Sequence, residues 1–90
     1  VYKDLAIKID QVFHVGALVN FIYSFSDLYQ ANVGGVEEII RFCIDENPKM
    51  LHHISTVGVF PLFYHRLLEV EETDELQPTW NIPLGYGQSK

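Results

Sequence analysis

The sequence predicts an α/β fold in which two parallel strands are joined by a crossover helix. Two short runs of β-branched, aromatic and other apolar residues, 12–15 and 50–54, flank a segment whose apolar residues recur at helical spacing. Short connections join the three segments, which is the pattern of a βαβ unit. We therefore predict a right-handed βαβ crossover, with both strands in one parallel sheet.

The elements before the crossover follow from local patterns. Residues 1–9 are predicted to be the end of a helix that has Leu5 and Ile9 on one face. The run at 12–15 is apolar on both faces and is followed by Gly16, which is typical of a buried parallel strand. Residues 18–31 are rich in aromatic residues without a clean period, and we predict a loop or a short helix there.

The crossover helix is predicted from Asn32, an amide residue of the kind that caps helices. Its apolar stripe is Val36, Ile39, Ile40 and Cys43, and it should end at the Asn47-Pro48 pair. Cys43 lies on this stripe, so we interpret it as a small buried hydrophobe rather than a reactive thiol. A single cysteine also excludes an internal disulfide and fits a reducing compartment.

Composition and charge exclude several classes of function. The 90 residues carry a net charge of −6 with six Lys and Arg in all, which argues against a nucleic-acid groove. No apolar run approaches the roughly 20 residues of a membrane span, and no signal peptide opens the chain. We therefore expect a cytoplasmic protein. Because the chain does not begin with Met, we expect its true N-terminus to lie elsewhere.

Residues 62–85 differ in character. Five of the twelve acidic residues fall between Glu69 and Glu75 without a basic residue among them. We predict a solvated loop or insertion with a short strand or helical turn near His65 to Glu69, and we favour a solvated face over a metal site. No metal site is expected elsewhere either, since the histidines and Cys43 lack the short spacings of zinc ligands.

Tyr86 and Lys90 end the chain four residues apart, in a segment predicted to open a helix. At that spacing two side chains share one helical face. An ammonium group near a phenol favours the phenolate and lowers a pKa that is ordinarily about 10, which makes the phenol usable in proton transfer near neutrality. The pair is common by chance, so its meaning depends on the segments before it.

Four segments in order carry a resemblance to a known family: residues 14–21 (HVGALVNF), 32–38 (NVGGVEE), 54–60 (ISTVGVF) and 85–90 (GYGQSK). Together they resemble the extended short-chain dehydrogenase/reductase superfamily, and above all the thioester reductase domains of nonribosomal peptide and polyketide synthases. The resemblance implies a Rossmann-like, doubly wound parallel sheet. Residues 1–90 would form its central part, without the N-terminal glycine-rich βαβ unit that binds pyrophosphate and without the C-terminal substrate part.

The resemblance also implies a reaction and its residues. NADPH, with NADH left open, would reduce a thioester on the phosphopantetheine arm of a carrier domain. The hemithioacetal would collapse to an aldehyde and a thiol, and some relatives continue to the alcohol. The catalytic residues implied are Asn32, Thr56, Tyr86 and Lys90. The cofactor-binding residues implied are His14, Gly16, Ala17, Ser55, Tyr86 and Lys90.

Several alternatives stay open. Asn32 could be a plain helix cap, and His52 and His53 alternate across a strand, so at most one faces a given site. The aromatic cluster of Phe21, Tyr23, Phe25 and Tyr29 fits core packing better than an acyl tunnel. The chain as a whole could be a non-catalytic fragment or interaction module. Within the same fold, it could derive from a fatty acyl-CoA or carboxylic acid reductase, or from a nucleotide-sugar epimerase or dehydratase.

Overall fold

The structure, a computed structural model, describes residues 1–60, 71–76 and 82–90. The predicted strand or turn near His65 to Glu69 lies outside these residues, as does Pro78. The elements are α1 (Tyr2–Lys8), β1 (Gln11–His14), α2 (Phe25–Tyr29), a π-helical turn (Gln30–Gly34), α3 (Gly35–Ile44), β2 (Met50–His53), a 3-10 turn (Val57–Val59) and α4 (Gly85–Ser89).

The two strands pair in parallel, as the sequence predicts. Gln11 lies opposite Met50 and His14 lies opposite His53, so both strands end at the same edge. The amide of Ile54 donates a hydrogen bond of 3.0 Å to the carbonyl of His14, which extends the pairing past the strand end. Both strands lie within one residue of their predicted bounds, and the α/β prediction is confirmed.

A helix begins earlier than the sequence predicts. α2, the π-helical turn and α3 follow one another without a break over residues 25–44. Ser24 caps this helix: its hydroxyl accepts from the Asp27 amide at 3.3 Å, and the Asp27 carboxylate accepts from the Ser24 amide at 3.1 Å. The prediction that Asn32 is the N-cap is therefore wrong, because the cap stands eight residues earlier, at position 24 instead of 32.

The connection from α3 to β2 is tied down by a lysine. Glu46 takes a left-handed backbone conformation with φ of 56°, which turns the chain after the helix. Lys49 is buried, and its Nζ donates to the carbonyls of Asp45 at 2.7 Å and Asn47 at 2.8 Å above the Phe42 ring. The ammonium thus satisfies two main-chain carbonyls of the connection that follows α3.

The core of the described residues is small. Its buried apolar residues are Ala6, Leu28, Cys43, Val59, Phe60 and Ile82. The burial of Cys43 confirms its interpretation as a small core residue. The aromatic cluster of residues 21–29 is not core: its four rings are between 38% and 62% exposed. Core packing is therefore the wrong interpretation of that cluster within the described part of the chain.

Candidate active site

A cavity of about 580 Å³ opens at the edge where both strands end. Residues 53–57 form one wall, and Lys90 reaches it from α4. Glu71, Glu72 and Asp74, from the exposed acidic segment, also line the cavity. In open α/β folds ligands bind in the crevice at the carboxyl ends of the strands, so the cavity lies where this architecture places a ligand.

Two histidines stand side by side at this edge. His14 and His53 stack with their rings 5.2 Å apart, and their Nδ1 atoms lie 3.1 Å from each other. A hydrogen bond at that distance needs one donor and one acceptor, so the pair cannot keep it when both rings are protonated. Burial lowers the pKa of His53, and the nearby positive charges of Lys90 and His14 lower it further.

No role was predicted for His53, although His52 and His53 were expected to point to opposite faces of the strand. His53 lines the cavity, whereas His52 stacks on Phe13 with ring centroids 4.3 Å apart. The pairing register of β1 and β2 shows which histidine belongs to this edge. His53 lies directly opposite His14 at the end of the neighbouring strand, so the two side chains share one face of the sheet.

Ser55 and Thr56 follow β2 and line the cavity. Thr56 is the N-cap of the 3-10 turn, and its Oγ1 accepts a hydrogen bond of 3.2 Å from the amide of Gly58. The hydroxyl is the acceptor in this contact, so its own proton is left for a group in the cavity. The turn therefore fixes the Thr56 side chain without using its donor.

Helix α4 is seated by two glycines that flank Tyr86. A Cβ on Gly85 would lie 2.6 Å from backbone atoms of Tyr23, Ser24 and Phe25. A Cβ on Gly87 would overlap the carbonyl oxygen of Gly58. No side chain fits in either place, and the helix lies directly on the start of α2 and on the 3-10 turn. These contacts bring α4 against the turn that Thr56 caps.

Tyr86 lies in the first turn of α4 and Lys90 is the C-cap residue that follows the helix, so a helix forms in the predicted segment. The Lys90 Nζ donates to the carbonyl of Ile54 at 3.2 Å and lines the cavity. Tyr86 is half-buried and meets the Phe21 ring edge-on, with centroids 5.5 Å apart. Among the described residues, Ser55, Thr56 and Lys90 share the cavity wall, while Tyr86 stands one turn before Lys90 and does not line this wall.

Asn32 is buried inside the π-helical turn and joins two segments. Its Oδ1 accepts from the Leu18 amide at 2.7 Å, and its Nδ2 donates to the Leu18 carbonyl at 3.0 Å and to the Ser89 hydroxyl at 2.9 Å. A π-turn adds a residue to a helix and often marks a functional site. Asn32 thus links the segment after β1 to the helix that carries Tyr86.

The segment after β1 is open to solvent. Gly16 and Ala17 are exposed, and the nearest atom to a Cβ built on Gly16 would be His14 Nε2 at 3.9 Å. Nothing within the described residues requires glycine at position 16, and the backbone there is accessible to a ligand. Like Asn32, these residues lie outside the wall of the cavity.

The residues predicted for the site do not include Ser89, Gly85 or Gly87. Small residues at every second position around Tyr86 were the available signal, since they allow close approach of a short helix. Within residues 1–60, 71–76 and 82–90, no group of three or more His, Cys, Asp or Glu side chains is arranged to hold a metal ion. Over the same residues, no helix is long and apolar enough to cross a membrane.

Fold and site together define an α/β domain of the Rossmann type with a site at the carboxyl edge of its parallel strands. The model of the family described as "Male sterility protein", an NAD-binding family, matches residues 1–90. The chain therefore belongs to this family, and the resemblance to reductase domains is confirmed.

Individual relatives are much longer than this chain. A linear gramicidin synthase protein of Brevibacillus parabrevis is 39% identical over 90 residues, which are 99% of this chain and 2% of that protein. A carboxylic acid reductase of Segniliparus rugosus is 36% identical over 94 residues, which are 99% of this chain and 8% of that protein.

A solved structure shows the same arrangement. The terminal R domain of the myxalamid PKS-NRPS biosynthetic pathway superposes with a TM-score of 0.87 and 39% identity. The match covers 98% of this chain and 22% of that one. The chain thus spans less than a quarter of that domain.

The residues present fit one end of a nicotinamide cofactor. Lys90 is an ammonium with three donors, of which one bonds to Ile54, and the hydroxyls of Ser55 and Thr56 stand in the same cavity wall. Such donors suit ribose hydroxyls and a carboxamide. The pyrophosphate would need a glycine-rich turn at a helix N-terminus, and no G-x-x-G-x-x-G occurs in the sequence.

Proposed function

We propose that these 90 residues are the central part of a reductase domain that reduces a carrier-bound thioester with NADPH. The observation that carries this proposal is the shared cavity wall of Ser55, Thr56 and Lys90, with Tyr86 one turn before Lys90. The relatives support the reaction class, since they include synthases, a carboxylic acid reductase and an L-2-aminoadipate reductase. The partner would be a carrier domain bearing a phosphopantetheine arm.

Reduction of a thioester builds negative charge on its carbonyl oxygen, and the chain offers two donors for that oxygen. The Thr56 hydroxyl accepts from the Gly58 amide, a contact that does not use its proton, so the hydroxyl can donate to the carbonyl oxygen. The Tyr86 phenol supplies the second donor and transfers its proton to the oxygen as the hemithioacetal forms. The positive charge of Lys90 stabilises the phenolate that remains.

Lys90 has a second task in this proposal. Its Nζ is held near the strand end by the Ile54 carbonyl, and its remaining donors would bind the ribose hydroxyls of the cofactor. The nicotinamide supplies the hydride when it is bound. His14, Gly16 and Ala17 would border its adenosine half, where exposed backbone leaves room for a ligand. Asn32 would support Lys90 through α4.

The rest of the domain would come from chain outside these residues. The glycine-rich turn and the substrate part are the pieces we expect there. The exposed apolar residues support this view: Phe13 is 66% exposed, Ile22 94% and Met50 61%. Side chains of this size on a strand and a loop are normally covered, so further elements would pack on them.

The test is Tyr86→Phe in the domain that contains this chain, assayed with a carrier-bound thioester. We expect kcat to fall by at least about 10²-fold, because the proton donor is lost, while the Kd of NADPH changes little. Tyr2→Phe is the matched control. It removes a tyrosine hydroxyl from α1, whose ring packs on Phe42. Full activity of Tyr86→Phe would refute the proposed role.

A further inference from the structure

The hydroxyl of Ser89 has no part in the chemistry above, yet it is among the most buried polar groups of the described residues. Ser89 is 4% exposed and Asn32 3%. The Ser89 Oγ accepts from Asn32 Nδ2 at 2.9 Å and donates to the main-chain carbonyl of Tyr86 at 2.8 Å. Its single proton and one of its lone pairs are thus both engaged.

The side-chain amide of Asn32, which donates to Ser89, is itself held in place. The amide of Asn32 is fixed by both main-chain groups of Leu18, so its second N–H can point only to Ser89. The bond joins α4 to the middle of the helix at 25–44. The chain from Asn32 through Ser89 to the Tyr86 carbonyl is therefore a fixed series of hydrogen bonds inside the protein.

Hydrogen bonds to the rest of the protein matter for the orientation of α4 because this helix has five residues. A helix this short has little stability of its own, so its orientation depends on its contacts with the rest of the protein. Side chains reach about 6 Å from a helix axis, so a rotation of about 10° moves the Tyr86 ring by about 1 Å. A misplacement of that size near reacting atoms costs on the order of 10²-fold in rate.

We propose that Ser89 is a positioning residue for the reductase reaction, which sets the rotation of the turn that carries Tyr86 and Lys90. This inference rests on the proposed function. Ser89 acts through the Tyr86 main chain and touches neither substrate nor cofactor. It differs from a plain stabilising contact because its loss moves one helical turn and leaves the cavity wall at residues 53–57 in place.

The kinetic test compares three variants in the domain that contains this chain. Ser89→Ala should lower kcat by about 10-fold to 10²-fold, with the KM of the thioester within about twofold of wild type. Ser89→Thr keeps the hydroxyl and should recover most of the loss. Gln88→Ala is the control on the same helix, because it removes a hydrogen bond of 2.8 Å to the Ile82 carbonyl and keeps the Ser89 series. Unchanged kcat in Ser89→Ala, or equal loss in Gln88→Ala, would overturn the inference.

A second measurement does not depend on activity. The ring of Tyr86 stands edge-on to that of Phe21, so its NMR chemical shifts report its orientation. We expect the Tyr86 ring signals to move in Ser89→Ala and to stay in place in Gln88→Ala. Unmoved signals in Ser89→Ala overturn the positioning role even if Ser89→Thr fails to fold. A wild-type domain without thioester reduction would refute the proposed function, whereas the NMR comparison would still decide the role of Ser89.

Discussion

Gly85→Ala is the substitution whose effect the structure defines best. The added Cβ would lie 2.6 Å from three backbone atoms, whereas ordinary van der Waals contact begins near 3.4 Å. Backbone cannot rotate away as a side chain can, so α4 must retreat by about 0.8 Å, the difference between 3.4 and 2.6 Å. We expect a loss of about 1–3 kcal/mol in the free energy of unfolding, the usual range for overpacking. Because Tyr86 follows directly, kcat should fall by about 10-fold to 10²-fold.

The assay for Gly85→Ala combines urea unfolding with steady-state reduction of a thioester substrate. Gly35→Ala is the matched control, since Gly35 is in a helix, has φ of −61° and would meet no atom within 4 Å of its Cβ. That control should gain about 0.5–1 kcal/mol, as Ala is the better helix former. If Gly85→Ala unfolds at the wild-type urea concentration and keeps its kcat, the close packing of α4 against the start of α2 is wrong.

Three further predictions concern charge. Lys90→Met removes a positive charge near His53, so the pKa of His53 should rise toward its ordinary value. The NMR shifts of the His53 ring protons report this pKa, and an unchanged value would mean that the charge of Lys90 does not act on His53. The folded state disfavours protonated His53, so the protein should lose stability as the pH falls from about 6.5 toward the lower folded pKa. His53→Asn should flatten that part of the stability profile in pH-dependent urea unfolding, and an unchanged slope would contradict it. Ser24→Ala removes the hydroxyl bond of 2.7 Å that contributes most to lowering the pKa of Asp27 and keeps the bond from the Ser24 amide, so that pKa should rise part of the way in a carboxylate NMR titration. An unmoved pKa of Asp27 would contradict the contact between the Ser24 hydroxyl and the carboxylate.

The strand–helix–strand order could be predicted because each element has a local cause. Residues 12–15 and 50–54 are short, rich in apolar residues and bounded by turn-forming residues, which is enough to predict parallel strands. The expectation that the first of these strands is buried is not met within the described residues, where no residue of β1 or β2 is buried. The stripe that ends at Cys43 has the period of a helix, so α3 was predicted at nearly its full length. Local patterns of this kind are set by backbone geometry and do not depend on distant partners.

The start of the helix at 25–44 could not be predicted from its apolar pattern. Its first turn exposes Phe25 and Tyr29 instead of burying them, so the usual period is absent. Only the Ser24 and Asp27 pair marks the start, and it departs from the usual Ser-x-x-Glu capping box. No sequence pattern indicates the π-helical turn either, and this turn places Asn32 in the interior instead of at a helix cap.

For the candidate site, the sequence indicates which residue types to expect, but it does not show which residues contact one another. Thr56 and Lys90 share the cavity wall, where the chain after β2 meets the C-terminal end of α4, and the roles that the resemblance implies for them stay predictions. Ser89 contacts Asn32, which is 57 positions away in the sequence, and His53 contacts His14, which is 39 positions away. Pairings over such distances are set by the three-dimensional arrangement, and no local pattern encodes them.

The bond between Asn32 and Ser89 has a consequence for how the protein is made. It closes 57 positions of chain, so it cannot form until Ser89 has left the ribosome. At synthesis rates of about 5–20 residues per second, the Asn32 amide waits roughly 3 to 11 s for its partner. The strands at 11–14 and 50–53 have been synthesised by then, so their pairing can precede the bond. In a newly made chain the two strands can therefore pair before α4 docks on Asn32, and the polar amide of Asn32 must stay hydrated in between.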